Sequence, residues 1–379
     1  MIADVERPET KSYEINILLE TLSPLMQGVM EPMILNRTAE GREIKVRKVR
    51  SIATVMSRAE LGWDKRPTLN SNEDITDDAQ YRHTIIDIPV VGANAFRHKI
   101  RSVLATHLLE RCGLQVLDFA RSKNSTVKRN YHTLFSGGGL TKDEKPPENF
   151  WQIDTIERIY KEWPLFGLLG LSYAGYMLRG KLAVGQGYPL VQRLLTRFFY
   201  DTEIAYKRFP QPFWIDIHPT SLIQGRKIDE LWAEYRQADM RVSQPNNKVD
   251  DEVVIKAGTR SMIMLAQYVP AGIPFGMTWT LGGATALESS ALRLALELIM
   301  DTGIISFGGR ENSGMGHLSI RTRVDHLSES TLYDSYIRKH AEAIRHALLA
   351  EGNWKSGVLH GSLEQYWHAN HRRTTEVSE

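Results

Sequence analysis

Three cations in the opening turns of one helix are the first sign of chemistry. In Gly92–Arg101, G-A-N-A-F-R-H-K-I-R, a glycine turn precedes an apolar period, and Arg97, Lys99 and Arg101 fall just inside it. Cations near a helix N-terminus oppose the macrodipole. Their placement makes sense if an anion sits there, held by main-chain N–H groups and side chains together. Gly92 and Asn94 supply the turn and a candidate N-cap. His98 stands between the cations, and all three cations are expected to be exposed.

A second segment, Phe307–Gly316 (F-G-G-R-E-N-S-G-M-G), sets Gly309, Arg310, Asn312 and Ser313 among closely spaced glycines. Glycine lets a backbone approach a ligand closely, and successive N–H groups in such a turn can bind an anion. The segment lacks the G-K-[ST] of a P-loop. It precedes a strand, so it is not a dinucleotide fingerprint. A third stretch, Arg37–Arg50, carries six basic residues against two acidic ones, with Lys45, Arg47, Lys48 and Arg50 at its end. Ile44 and Val46 alternate with Lys45 and Arg47, which predicts a strand with one apolar and one basic face. Such a strand is either a surface for a polyanion or an edge guarded by its charges against aggregation.

Other chemistries find little support. The twelve histidines are scattered, and none forms the H-E-x-x-H of a zinc helix. No G-x-S-x-G occurs. Asp74, Asp77 and Asp78 share a polar stretch, but their spacing is not that of an EF-hand. No catalytic residue, metal or cofactor is therefore expected.

The elements that must position these residues follow from periodicity. Tyr13–Leu22 alternates and predicts a strand, and Thr84–Val90 a short one; Ala95–Leu109 has helical spacing. Gly113–Phe150 reads as an insertion, and Gln152–Trp163 as a helix with Ile153, Ile156, Ile159 and Tyr160 on one face. P-L-F-G, Pro164–Gly167, reads as packing. Pro189–Phe199 predicts a helix, and Ile223–Ile255 a projecting arm. Met262–Val269 and Gly276–Leu281 predict strands, Thr285–Asp301 a helix, His317–Val324 a closing strand and Leu332–Leu349 a last helix. Without the insertions the order is βαββαβ. This is an α+β, ferredoxin-like (RRM-like) arrangement. The strand G-M-T-W-T-L-G-G lacks the RNA-recognition-motif pattern, so base stacking in that style is not expected.

Composition bounds the reading. The chain has 379 residues, 42% hydrophobic and 24% charged, which excludes a disordered or collagen-like chain. No apolar run is long enough to span a membrane. One cysteine, Cys112, excludes an internal disulfide, and the N-terminus lacks a signal-peptide pattern, so a reducing cytoplasm is expected. The net charge of +2 weighs against binding nucleic acid through bulk charge but leaves a local basic groove open.

Several motifs then fall in a familiar order. L-L-E-T-L-S-P-L-M-Q-G (Leu18–Gly28), N-A-F-R-H-K-I-R (Asn94–Arg101), L-F-G-L-L-G (Leu165–Gly170), Y-V-P-A-G-I-P-F (Tyr268–Phe275) and F-G-G-R-E-N-S-G-M-G-H-L-S-I (Phe307–Ile320) are spread over most of the chain. Together they resemble the RAMP superfamily of CRISPR-associated proteins. Within it, the chain is similar to the backbone subunit that polymerises along CRISPR RNA, most like type IV, with type I-D a near relative. Each motif is short, and His98 stands where the family often has glycine.

The resemblance implies a ferredoxin-like palm (1–112 with 261–330), a helical finger region (113–217), a β-hairpin thumb (218–260) and a C-terminal helix and tail (331–379). It also implies RNA contacts from Lys45, Arg47, Lys48, Arg50, Asn94, Arg97, His98, Lys99, Arg101, Gly309, Arg310, Asn312 and Ser313. At the thumb, Met240 would be an apolar wedge flanked by Arg236 and Arg241. Phosphate contacts of this kind position RNA without reading its sequence. The implied partners are CRISPR RNA, the target strand paired to it, copies of this chain in a helical filament, and other effector subunits, with no membrane. Some relatives cut target RNA with a loop aspartate. No motif here matches that loop, so binding without cleavage is expected, with a metal-dependent endonuclease using Asp74, Asp77 or Asp78 as the alternative.

Overall fold

The structure is a computed structural model and describes residues 9–25, 33–37, 43–47, 51–57, 83–138, 153–173, 176–190, 220–226, 262–307, 314–351, 357–359 and 361–366. Among these the strands are β1 (Lys11–Thr21), β2 (Met33–Arg37), β3 (Glu43–Arg47), β4 (Ser51–Ser57), β5 (His83–Pro89), β6 (Leu171–Tyr173), β7 (Tyr176–Leu178), β8 (Leu182–Val184), β9 (Tyr188–Pro189), β10 (Thr220–Arg226), β11 (Met262–Tyr268), β12 (Pro274–Ala284), β13 (Ile305–Ser306) and β14 (His317–Thr322). The helices are α1 (Ala93–Arg111), α2 (Val116–Arg121), α3 (Ser125–Ser136), α4 (Ile153–Glu162), α5 (Pro164–Leu169), α6 (Ala286–Asp301) and α7 (Ser330–Leu349). The architecture is α+β with an antiparallel central sheet.

That sheet runs β13, β14, β1, β12, β8, with β9 also paired to β12. Alternation decides its faces. Ile15, Ile17 and Leu19 of β1 are buried and lie opposite Trp279, Met277 and Phe275 of β12. On the other side of β1, Leu19 lies opposite Ile320 and Thr21 opposite Leu318. Opposed residues of an antiparallel pair share a face, so one side of the sheet is a continuous apolar layer. The other side presents Glu14, Asn16, Thr278, Thr280 and Arg321, all exposed. The aromatic rings of β12 are thus on the inner side, where Trp279 packs edge-on against Phe96 of α1, 5.8 Å between centroids.

In chain order the central strands are β1, then α1, then β8 and β12, then α6, then β14, all antiparallel to their neighbours. This corrects the sequence reading in one respect. Met262–Val269 was expected as the second core strand, but that place belongs to β8. Instead, β11 pairs antiparallel with β10 and parallel with β3, in a separate four-stranded sheet ordered β10, β11, β3, β2. β11 is matched along all seven of its residues by β10, while three residues of β8 fill the place beside β12. The expectation of β3 as an edge strand also fails, because β3 is paired on both sides.

Helix α1 buries Phe96, Ile100, Leu104 and Leu108, one side chain per turn. Helix α6 opens with a capping box. The Thr285 hydroxyl accepts from the Glu288 N–H, and the Glu288 carboxylate accepts from the Thr285 N–H. Residues expected to be an insertion carry α2 and α3, whose Phe119, Val127 and Leu134 are buried in the same core as β1. In α4 the expected apolar face is only partly used: Ile159 is fully buried, whereas Ile153 is 72% exposed. The helix expected over Pro189–Phe199 lies outside the described residues, apart from its first two positions. Among the described residues no helix is long and apolar enough to cross a membrane.

A cationic cavity at the start of the first helix

The start of α1 is fixed by a two-way bridge: Val91 N–H donates to the Gly187 carbonyl at 2.9 Å and Gly187 N–H to the Val91 carbonyl at 2.8 Å. The N-cap is Gly92, with no side-chain cap, and Asn94 is already the second helical residue. The candidate cap at Asn94 is thereby corrected. Because the helix repeats every 3.6 residues, Arg97 and Arg101 share a stripe, while Lys99 lies roughly 160° away from both. Asn94, Arg97, His98 and Arg101 line one cavity of about 830 Å³; Lys99 does not.

The opposite wall comes from α5 and the hairpin of β6 and β7. Helix α5 begins with Pro164 at its first position, which suits a proline there. All six of its residues are buried. Among its last carbonyls, that of Phe166 accepts from Gly170 N–H and that of Gly167 from Lys181 N–H, while the arginines supply donors to Leu169 and to the cap residue Gly170. Arg97 donates to the Leu169 carbonyl at 2.8 Å and to the Leu182 carbonyl at 3.2 Å. Arg101 donates to the Gly170 carbonyl at 2.6 Å and to the Leu169 carbonyl at 3.1 Å. Arg101 is only 7% exposed, which overturns its expected exposure. The carbonyls at the end of α5 draw it inward.

The Arg101 site is crowded with positive charge. Its Nη1 is buried without an acceptor among the described residues. Burial, and then the neighbouring Arg97, pull its pKa down to about 10, so it stays cationic at neutral pH but at a cost. Burial likewise lowers Arg97. Gly137 ends α3 in the left-handed conformation, φ 80°, and a Cβ there would stand 3.2 Å from the Arg101 guanidinium. Glycine therefore meets both the turn and the close approach.

Lys181 and Arg179 add two more cations to the walls, and no carboxylate is among the described lining residues. Lys181 is spoken for. Its Nζ donates to Glu288 at 2.7 Å and sits 5.2 Å from the Tyr160 ring centroid. Glu288 is fully buried, and Gly167 approaches it so closely that any Cβ there would clash with its carboxylate. The G of P-L-F-G thus has a packing reason, as expected. Burial and the Glu288 charge push the Tyr160 hydroxyl above its ordinary pKa.

Sequence reasoning found Asn94, Arg97, His98 and Arg101 but missed Gly137, Tyr160, Arg179 and the Lys181–Glu288 pair. The signal for Arg179 and the neighbouring Lys181 was glycine density in Leu165–Gly180, which marks close backbone approach. Lys45 and Arg47 fall within β3. Lys48, Arg50, Arg236, Met240, Arg241, Gly309, Arg310, Asn312 and Ser313 lie outside the described residues, as do Asp74, Asp77 and Asp78. No group of three or more potential metal ligands occurs among the described residues.

No protein-family model matches the chain. No curated protein matches it either. Among solved structures it is similar to a chain of a "Type IV-B CRISPR Complex", with 15% identity and a TM-score of 0.40, over 84% of this chain and 93% of that one.

Proposed function

We propose that this protein is a non-catalytic RNA-binding backbone subunit of a CRISPR effector complex, with copies assembling along the guide RNA. The observation that carries the reading is the Arg97–Arg101 pair. Two guanidinium groups share one cavity with no carboxylate among its described lining residues. They are placed there by Asn94–Arg101 and Leu165–Gly170, two of the segments that resemble RAMP motifs. Phosphate oxygens of an RNA backbone would supply the missing charge at the half-buried Arg97.

In this reading the central sheet with α1 and α6 is a ferredoxin-like palm, since β1, β8, β12 and β14 keep the βαββαβ order. Residues 218–260 would form a thumb and 113–217 a finger region. The partners would be CRISPR RNA, its target strand, copies of the same chain and other effector subunits.

The test is purification after co-expression with a CRISPR array. The expected product absorbs strongly at the nucleic-acid wavelength, yields small RNA on extraction and shows helical oligomers in negative stain. A monomer free of RNA would overturn the reading. Its non-catalytic part is tested separately by adding magnesium to a labelled RNA paired to the guide. An intact strand is expected; regular cuts that vanish in Asp74→Ala, Asp77→Ala or Asp78→Ala would replace binding with endonuclease activity.

A further inference from the structure

The depth and charge of the cavity ask for more than a passing RNA backbone. Arg101 is 7% exposed, so a phosphate must enter the protein to reach it. An internal phosphodiester is tethered on two sides and cannot enter without its chain following. A terminal phosphate is tethered on one side only. Charge makes the same distinction. A phosphodiester carries one negative charge, whereas a phosphate monoester carries about −1.5 to −2 at pH 7. Arg97 and Arg101 together offer two positive charges, and neither is paired with a carboxylate among the described residues. The carbonyls of Leu169, Gly170 and Leu182 satisfy hydrogen-bonding groups of both arginines but not their charge. The unpartnered Arg101 Nη1 marks where a further acceptor belongs.

The rest of the cavity suits what a monoester would carry. Its volume, about 830 Å³, lies in the range of pockets that enclose small organic ligands. Met177, 85% exposed, gives it an apolar flank.

We propose that the Arg97–Arg101 end of this cavity is a seat for a phosphate monoester, either the terminal phosphate of an RNA or a free nucleoside monophosphate. The inference rests on reading the cavity as a phosphate site and adds the ligand class that it prefers.

The test uses the full chain. Fluorescence anisotropy compares one short single-stranded RNA carrying a 5′-phosphate, a 3′-phosphate or only hydroxyl ends. Thermal denaturation compares a nucleoside monophosphate with the matching nucleoside. A terminal-phosphate gain of about tenfold or more supports the RNA end as the source. A Tm rise with the monophosphate but not the nucleoside supports the free nucleotide. Either gain should shrink as pH falls from 7.5 to 5.5, because the second phosphate ionisation has a pKa of about 6. Equal affinity for all three RNA ends, together with no Tm response to the monophosphate, would overturn the proposal. Arg97→Gln and Arg101→Gln should each erase the gain, and the wild-type comparisons stand even where Arg101→Gln folds poorly. If hydroxyl-ended RNA binds well with no phosphate preference, the monoester seat fails and RNA binding survives. If the monophosphate stabilises a chain that binds no RNA, the seat survives and RNA binding fails.

Discussion

Arg97 and Arg101 are one helical turn apart, yet their substitution should have different consequences. Arg97 is half-buried and Arg101 almost fully buried, and both tie the end of α5 to α1. Replacing Arg97 by Gln should weaken single-stranded RNA binding and reduce the log–log salt slope by about 0.7, the value of one phosphate contact. Lys99→Gln should leave both unchanged, because Lys99 is on the other side of the helix. Equal losses at the two positions would mean that bulk charge, not the cavity, carries binding. Arg101→Gln should lower RNA affinity and also cost about 2 kcal/mol of stability in urea, since it removes charge-assisted bonds to the Leu169 and Gly170 carbonyls. A triple substitution at Arg97, Lys99 and Arg101 would confuse these effects. That confusion was built into the sequence reading, which saw three equivalent cations. Helical spacing separates Lys99 from its neighbours, but only the carbonyls of α5, some 70 residues away, reveal that Arg101 is buried.

At the scale of elements, a charged clamp outside the cavity joins α1 to α7. Asp334 of α7 accepts from Arg111 at 2.6 Å, shares a hydrogen bond with His107 at 2.9 Å, and accepts from Arg338 at 2.8 Å. Partial burial pushes the Asp334 pKa up, but the bonds from His107 and Arg111 outweigh it and hold the carboxyl below its ordinary value. A depressed carboxyl pKa contributes stability that is present above the unfolded-state pKa and lost as pH falls through the folded one. Wild-type stability should therefore drop as pH falls below about 4, and Asp334→Asn should flatten that drop while costing about 1–2 kcal/mol at pH 7. Chemical denaturation across that range would show it; parallel wild-type and variant curves would remove Asp334 as the source. The elements themselves were largely legible. The expected strands over Tyr13–Leu22 and His317–Val324, and the helices over Ala95–Leu109, Thr285–Asp301 and Leu332–Leu349, correspond to β1, β14, α1, α6 and α7, because each has a sustained period and a turn or cap at its start. The order of the core strands was not. Lys181–Val184 reads as a short strand, and β8 is there, but Met262–Val269, with the longer pattern, was given its place in the core and instead finds its partners in another sheet.

At the scale of the molecule, a net charge of +2 conceals a cavity whose described walls hold four cations and no acid, so the local field differs from the global one. The integrity of those walls depends on the far end of the chain. Val358, Leu359, Leu363 and Tyr366 are buried in the common core. Arg158 of α4 donates to the Leu359 carbonyl at 2.7 Å and to the Gly361 carbonyl at 2.6 Å, while Leu363 N–H donates to Glu162 at 3.1 Å. From the other side, the Tyr336 hydroxyl of α7 donates to the Glu162 carbonyl at 2.9 Å. Helix α4 is thus held between α7 and the C-terminal segment, and it leads through Trp163 directly into α5, the wall that receives Arg97 and Arg101. It also carries Tyr160 into the cavity. Ending the chain after Ala350 would remove the four described buried apolar side chains, each worth about 1.5–3 kcal/mol, and take from Arg158 and Glu162 their partners in this segment. The shortened protein should lose several kcal/mol of stability and bind RNA more weakly. Tyr366→Ala should reproduce part of the loss, about 3 kcal/mol, while leaving the rest of the segment in place. If the shortened chain keeps both its Tm and its RNA affinity, α4 and α5 are positioned by the central core alone, and the C-terminal segment only covers them.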